Sequence, residues 1–378
     1  MPSFWKPDYQ LQAKMQHRYE SMFQQKQYFK LGMRHLLRCN RYLIPSADGG
    51  TGKALIITSG KARVPKYVGL QQCHNAWSCP VCAPRVLATY KLKLNVIFDQ
   101  AIKQGYSLRM ITFTVPHYAD ESADTVLMRL LDTYNKFNTY KRVMTHQKSF
   151  EAKTYGSVVA TECKHSKIYG FHFHRHTVYL VKDNAAFERD FVKMRNWWQA
   201  YIEQFKKTDA PNKHSEGMYL SPQCFTTANY IAKLTNEMAK PGQEKKFSRD
   251  MFELLTTNSE DDLKIFAEFA CAVHGHRRIQ RSNNLLKLLG LNSEQLDKAV
   301  QEQALLGEFG DVKTVASFAE DSWRKILEAE HDDNKPHRHY LLFRAQLDGI
   351  DGVRRYCAEN KLPQPLAITQ RLIIERAA

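Results

Sequence analysis

The chain has 378 residues and carries 55 Lys plus Arg against 39 Asp plus Glu, a net charge of +16 with a pI near 9.4, which weights its partners toward polyanions. Its 20 Phe, 18 Tyr and 5 Trp are enough for packed cores and exclude wholesale disorder. No run approaches the roughly 20 apolar residues of a membrane span, and the opening MPSFWKPDYQ lacks the apolar centre of a secretory signal, so a cytoplasmic location is expected.

The length predicts two or three domains. Up to about Arg41 the chain reads as one or two basic helices, with Trp5, Tyr9, Tyr19, Phe23, Tyr28, Leu31 and Leu36 spaced among Gln, Lys and Arg. The loop PSADGGTGK follows. Its Gly52 and Lys53 do not make a phosphate loop: the position five before Gly52 is Ala47, Ala54 stands where a magnesium-binding Ser or Thr is needed, and ALIITSG reads as a strand. From 108 to 245 strands and helices alternate. LRMITFTV (108–115), YGSVVATEC (155–163) and FHFHRHTVYLV (171–181) read as strands, while 122–145, the stretch around Trp197 and Trp198, and 224–239 read as helices. That order implies an α+β domain with a mainly antiparallel sheet. A helix at 261–274, the basic run HGHRRIQR (274–281) and mostly helical sequence complete the chain. Residues 1–66 hold 12 Lys or Arg against 3 Asp or Glu, whereas residues 283–378 hold 13 against 15. The positive charge therefore belongs to the first three quarters of the chain.

Three blocks carry chemistry. CHNAWSCPVC sets Cys73, Cys79 and Cys82 within ten residues, and Cys79-Pro-Val-Cys82 is the tight turn that lets two thiolates reach one tetrahedral zinc. Cys39 is the leading fourth ligand, with His74 and His35 as alternatives. Four protein ligands leave no open position, so the role of this zinc is structural. In the second block, His172, His174 and His176 alternate along a strand and project from one face, about 6.6–7 Å apart. Adjacent imidazoles there can share a divalent cation, and Glu162 on a neighbouring strand adds an oxygen suited to Mn²⁺ or Mg²⁺. In the third, Tyr230 and Lys233 lie three apart on one helical face. A phenol oxygen beside a cation that polarises a phosphodiester can attack phosphorus, with Lys233 favouring loss of the phenolic proton.

With these blocks in place the chain resembles the HUH endonucleases, and among them the rolling-circle replication initiator (Rep) proteins of small plasmids. The blocks ITFTV (111–115), HFHRH (172–176) and YIAK (230–233) stand in the family's order. CHNAWSCPVCAPR and FAEFACAVHGHRRIQRSNNLLKLLGL (266–291) resemble flanking blocks of the Cys-containing Rep subgroup. The resemblance implies an HUH core with a central antiparallel sheet flanked by helices at 105–245. It also implies a basic, zinc-binding N-terminal segment at 1–104 and a helical C-terminal region at 246–378. By the same resemblance Tyr230 is the nicking nucleophile, and His174 and His176 are the core ligands of a catalytic Mn²⁺ or Mg²⁺, with His172 an additional histidine. The substrate is single-stranded or hairpin origin DNA. Host helicase and polymerase are the expected partners, and dimerisation stays open.

Two positions depart from the family pattern. Arg175 replaces an apolar residue between the core histidines, which points it outward toward DNA or shifts the ligand pair to His172 and His174. Thr226 stands where related initiators carry a glutamate for terminating cleavage, leaving Glu216, Glu237 or a second subunit's tyrosine for that step. Phe171, Phe173 and Tyr179 are candidates to stack unpaired bases. A transposase or mobilisation relaxase, and a non-catalytic zinc-containing DNA-binding regulator, are the rival readings.

Overall fold

The computed structural model describes residues 9–24, 39–45, 52–59, 64–207, 217–221, 248–298, 313–333 and 335–366. The chain forms two compact units: Met1–Val86 with Leu255–Ser259 and Gln301–Ala378, and Leu87–Leu254 with Glu260–Val300. The architecture is α+β with antiparallel sheets.

The second unit is built on a six-stranded sheet. Its strands are β3 (Ser107–Phe113), β4 (Thr154–Ser166), β5 (Gly170–Val181), β6 (Met218–Leu220), β7 (Arg249–Asp250) and β8 (Ile279–Arg281). The order is β6-β3-β5-β4-β7, with β8 pairing a different stretch of β4, and every pairing is antiparallel. The β-branched and aromatic content of β4 and β5 suits a long hairpin. Gly170 opens its second strand at φ +73, and a Cβ there would stand 2.7 Å from the Tyr118 carbonyl oxygen. Only glycine accepts both the backbone conformation and that approach.

The two faces of β5 meet different helices. On one face Thr177 and Tyr179 lie under α3 (Ala123–His146) and α4 (Asn184–Ile202), where Phe113, Tyr134, Phe137 and Trp198 interlock with ring centroids 4.9–6.3 Å apart. Helix α3 starts where the Ser122 hydroxyl accepts from the Thr125 N–H, and α4 where the Asp183 carboxylate accepts from the Ala186 N–H. On the other face Val178 and Leu180 pack against Leu94, Ile97 and Phe98 of α2 (Cys82–Lys103) and against Leu285, Leu286 and Leu289 around α6 (Leu285–Leu288). Helix α5 (Glu260–Ala272) brings Phe269 against Phe173.

The first unit contains a three-stranded antiparallel sheet, β2-β1-β9, from β1 (Ala54–Ser59), β2 (Val64–Val68) and β9 (Lys313–Phe318). With it go α1 (Tyr9–Gln24), α7 (Glu320–Asp333) and α8 (His337–Glu359), which breaks at Gly349. Ile56, Tyr67, Phe318, Trp323, Ile326, Leu341 and Val353 form its core. Within the mostly helical sequence expected at this end of the chain, KTVASF forms strand β9, β-branched enough to pair with β1, and that pairing buries Ala316 and Phe318.

Candidate functional site

The histidine strand behaves as its alternation dictates. His176 pairs with Ala160 and Thr112, His174 with Glu162, and His172 with Lys164, so Thr112, Glu162 and Lys164 share the histidine face. The Glu162 carboxylate lies 3.4 Å from His176 Nε2, and Thr112 Oγ1 lies 2.9 Å from His176 Nδ1. Thr112 thereby fixes which nitrogen of His176 looks toward Glu162. The His174 and His176 rings stack at 6.0 Å, and His172 meets His174 edge-on at 3.9 Å.

Burial, and then repulsion from His117 and Lys164, pushes His172 down to about 3; burial followed by its histidine neighbours holds His174 well below its ordinary range. Both rings are therefore neutral near pH 7, the form that offers a lone pair to a metal. Imidazoles beside a carboxylate are donor types that suit a divalent cation.

Two further side chains join this face without any sequence signal that marked them. His117 follows Pro116 in the loop after β3 and turns its Nε2 toward His172 Nδ1, the rings crossing at 4.2 Å. Asp250 of β7 pairs with Lys164, and burial raises its carboxyl to about 6. Its Oδ1 also accepts the Phe252 N–H at 2.9 Å. The ITFTV block contains Thr112, but nothing in its pattern gives that hydroxyl a role.

Arg175 does not reach outward. It is 5% exposed, with its guanidinium 4.2 Å from the centre of the Tyr134 ring and Nη2 donating to Gln280 at 3.5 Å. Cation–π stacking under α3 replaces the apolar side chain expected there and leaves the histidine face unaltered. Phe171, Phe173 and Tyr179 are likewise buried, against His165, Phe269 and Phe187 respectively, and are unavailable to stack bases. Tyr230, Lys233, Thr226, Glu216 and Glu237 lie outside the described residues.

The four cysteines converge in the first unit. Cys39, Cys73, Cys79 and Cys82 bring their sulfurs within 4.8 Å of one another and can hold a metal ion such as zinc. The Cys39–Cys82 and Cys79–Cys39 separations are 3.3 and 3.6 Å, close to the edge of about 3.8 Å of a tetrahedron with metal–sulfur bonds of about 2.3 Å. Hydrogen bonds from Cys39, Cys73 and Cys79 hold the Cys82 thiol far below its usual range, while a hydrogen bond with Cys39 raises Cys73. Thiols this close ionise together only around a cation. The loop is shaped by Asn75, whose Oδ1 accepts from the Trp77 and Ser78 N–H groups at 2.8 Å, and Cys82 N–H donates to Cys79 Sγ at 3.4 Å. His74 is exposed at φ +49 and stands outside this set; His35 lies outside the described residues.

These features define an α+β protein with a histidine-lined sheet face in one unit and a metal-competent four-cysteine cluster in the other. A family model described as a replication protein matches residues 66–333, more than two thirds of the chain. The chain belongs to this replication protein family, Rep_1. It is similar to a Streptomyces lividans protein named Protein rep, 22% identical over 349 residues that span 72% of this chain and 76% of the relative. No solved structure matches. No helix among the described residues is long and apolar enough to cross a membrane.

Proposed function

We propose that this protein initiates rolling-circle replication of a plasmid as an HUH endonuclease of the Cys-containing Rep subgroup. The observation that carries the proposal is the register of β5 against β4, which sets three histidines and Glu162 on one sheet face. A divalent ion held there, Mn²⁺ or Mg²⁺, would polarise the scissile phosphodiester. His174, His176 and Glu162 are its principal holders, with His172 beside them. Thr112 orients His176.

Tyr230 is the nucleophile in this reading. Its oxygen loses a proton and forms a bond to phosphorus, the bond from phosphorus to the 3′-oxygen breaks, and that oxygen takes up a proton to leave as a hydroxyl. The protein is then joined to the 5′-phosphate through Tyr230, and the 3′-hydroxyl is left to prime a host polymerase. Lys233 adds positive charge to the crowded phosphate and favours the phenolate. The net charge of +16 supplies a salt-sensitive grip on single-stranded or hairpin origin DNA, and a host helicase would open the duplex ahead. The chemistry falls to the core at 105–245, whose sheet is completed by Arg249–Asp250 and Ile279–Arg281, the zinc-bearing basic segment to 1–104 and partner contacts to 292–378, with action in the cytoplasm.

Incubating the protein with labelled origin single strand and Mn²⁺ tests this reading on a denaturing gel. A covalent adduct is expected from the wild-type protein and none from Tyr230→Phe. An adduct that persists in Tyr230→Phe rejects the nucleophile. Failure of the wild-type protein to form one with any divalent metal supports the non-catalytic regulator.

A further inference from the structure

An aromatic side chain stands at the edge of the histidine face. Strand β6 pairs with β3 alone among the described residues, setting Tyr219 opposite Thr112 and Met218 opposite Phe113. Opposed residues of an antiparallel pair share a face. Thr112 reaches His176 at 2.9 Å, so Tyr219 stands on the histidine side of the sheet. Met218 turns to the side that α4 covers and is 1% exposed, whereas Tyr219 is 43% exposed. The strand is fixed from its start: the Gly217 carbonyl accepts the Thr114 N–H at 2.8 Å, and a Cβ on Gly217 would stand 2.5 Å from Ile202 Cδ1 and 2.9 Å from Trp198 Nε1. Further along the histidine side, Met110, Val178 and Leu180 lie under α2 and α6. His172, His174 and Thr112 are only half-buried. The open end of this face is thus flanked by an exposed ring on a fixed edge strand, two strand spacings, or about 9.5 Å, from β5.

We infer that Tyr219 is a stacking platform for an unpaired nucleobase next to the phosphate that the histidine face receives. The inference rests on the reading of that face as the place where single-stranded DNA is cut. A strand laid from β5 over β3 toward β6 carries the nucleotide beside that phosphate onto the Tyr219 ring. Stacking there accepts any base, because each has a π-face, and the phenol hydroxyl stays in water. Strand β5 does not offer its own rings for this purpose, since Phe171, Phe173 and Tyr179 are buried on the other side of the sheet. A lone exposed tyrosine that touches no ligand is the competing reading, and it gives Tyr219 no part in DNA affinity.

Fluorescence anisotropy separates the two, using full-length protein with its cysteine-bound metal retained and a fluorescein-labelled origin single strand, without added divalent ion so that no strand is cut. Tyr219→Ala and Tyr219→Leu should each bind at least about fivefold more weakly than wild type, and Tyr219→Phe within about twofold of it. The slope of log affinity against log salt should not change, because no charge is removed. Strands carrying a single abasic site then locate the base. At a position beside the phosphate, its loss should weaken wild type by the same factor and leave Tyr219→Ala unaffected. Equal affinity of wild type and Tyr219→Ala overturns the inference. So does a Tyr219→Phe as weak as Tyr219→Ala, or a deficit that persists on every abasic strand. An unchanged circular dichroism spectrum shows that Tyr219→Ala is folded; if it is not, Tyr219→Leu against Tyr219→Phe decides. The covalent-adduct gel separates this inference from the reading beneath it: an adduct formed without any Tyr219 effect on binding rejects the stacking role alone, and a wild type that neither binds the strand nor forms the adduct rejects both.

Discussion

Replacing Gly170 with alanine tests how the fold delivers the loop after β3 to the histidine face. Two costs arise at this position. The backbone sits at φ +73, where an L-residue costs about 1–2 kcal/mol, and the added Cβ stands 2.7 Å from the Tyr118 carbonyl oxygen, an overlap that adds about 1–3 kcal/mol or displaces the loop. Gly105 provides the control within the same unit: its φ is +77, but a Cβ there meets nothing within 4 Å. Gly105→Ala should therefore cost about 1–2 kcal/mol and Gly170→Ala about 2–5 kcal/mol in urea unfolding of the full chain. Equal costs for the two substitutions would refute the argument that close approach, rather than backbone conformation alone, requires glycine at 170.

Other consequences are open to direct measurement. Cys82→Ser should lower bound zinc from about one ion per chain to near none by elemental analysis and destabilise the protein, because the folding free energy of such a site includes that of metal binding; full zinc retention would contradict the four-thiolate set. Arg338 is 2% exposed and bonds Glu330 and Glu20 at 2.6 and 2.9 Å and the Asn40 carbonyl at 2.6 Å. Arg338→Met should thus cost about 3–5 kcal/mol in chemical denaturation, and adding Glu330→Met should recover most of it. His339 is buried with neither ring nitrogen hydrogen-bonded among the described residues, and burial holds it down to about 3. Against an unfolded value near 6.5, the unfolded chain protonates first, so this histidine leaves stability unchanged above about pH 6.5 and lowers it progressively as pH falls from there toward 3. By pH 5 the loss is about 2 kcal/mol, and His339→Gln should remove that part of the difference between urea midpoints at pH 7 and pH 5.

Local spacing made much of the site legible. Alternation along 172–176 sets three imidazoles on one face, and Cys79-Pro-Val-Cys82 with Cys73 and Cys39 marks a thiolate cage; both depend on residues close in sequence or on an unmistakable donor type. What stayed hidden depends on contacts between distant segments. His117 is a single histidine in a loop, and its approach to His172 rests on a glycine more than fifty residues away. Arg175 suggests an outward charge by its type, yet the Tyr134 ring on α3 makes a buried guanidinium tolerable. The aromatics of β5 alternate as binding residues would, but α4 and α5 cover them. Strand β9 has its partner, β1, near the other end of the chain, so no local pattern announces the pairing.

The central claim is that Tyr230 becomes covalently joined to DNA. Peptide mass spectrometry of the protein after reaction with origin single strand and Mn²⁺, followed by nuclease trimming, should find a phosphonucleotide on the peptide containing Tyr230 and on no other. A modification carried by a different residue, or unmodified protein under conditions where the DNA is cut, would contradict the account.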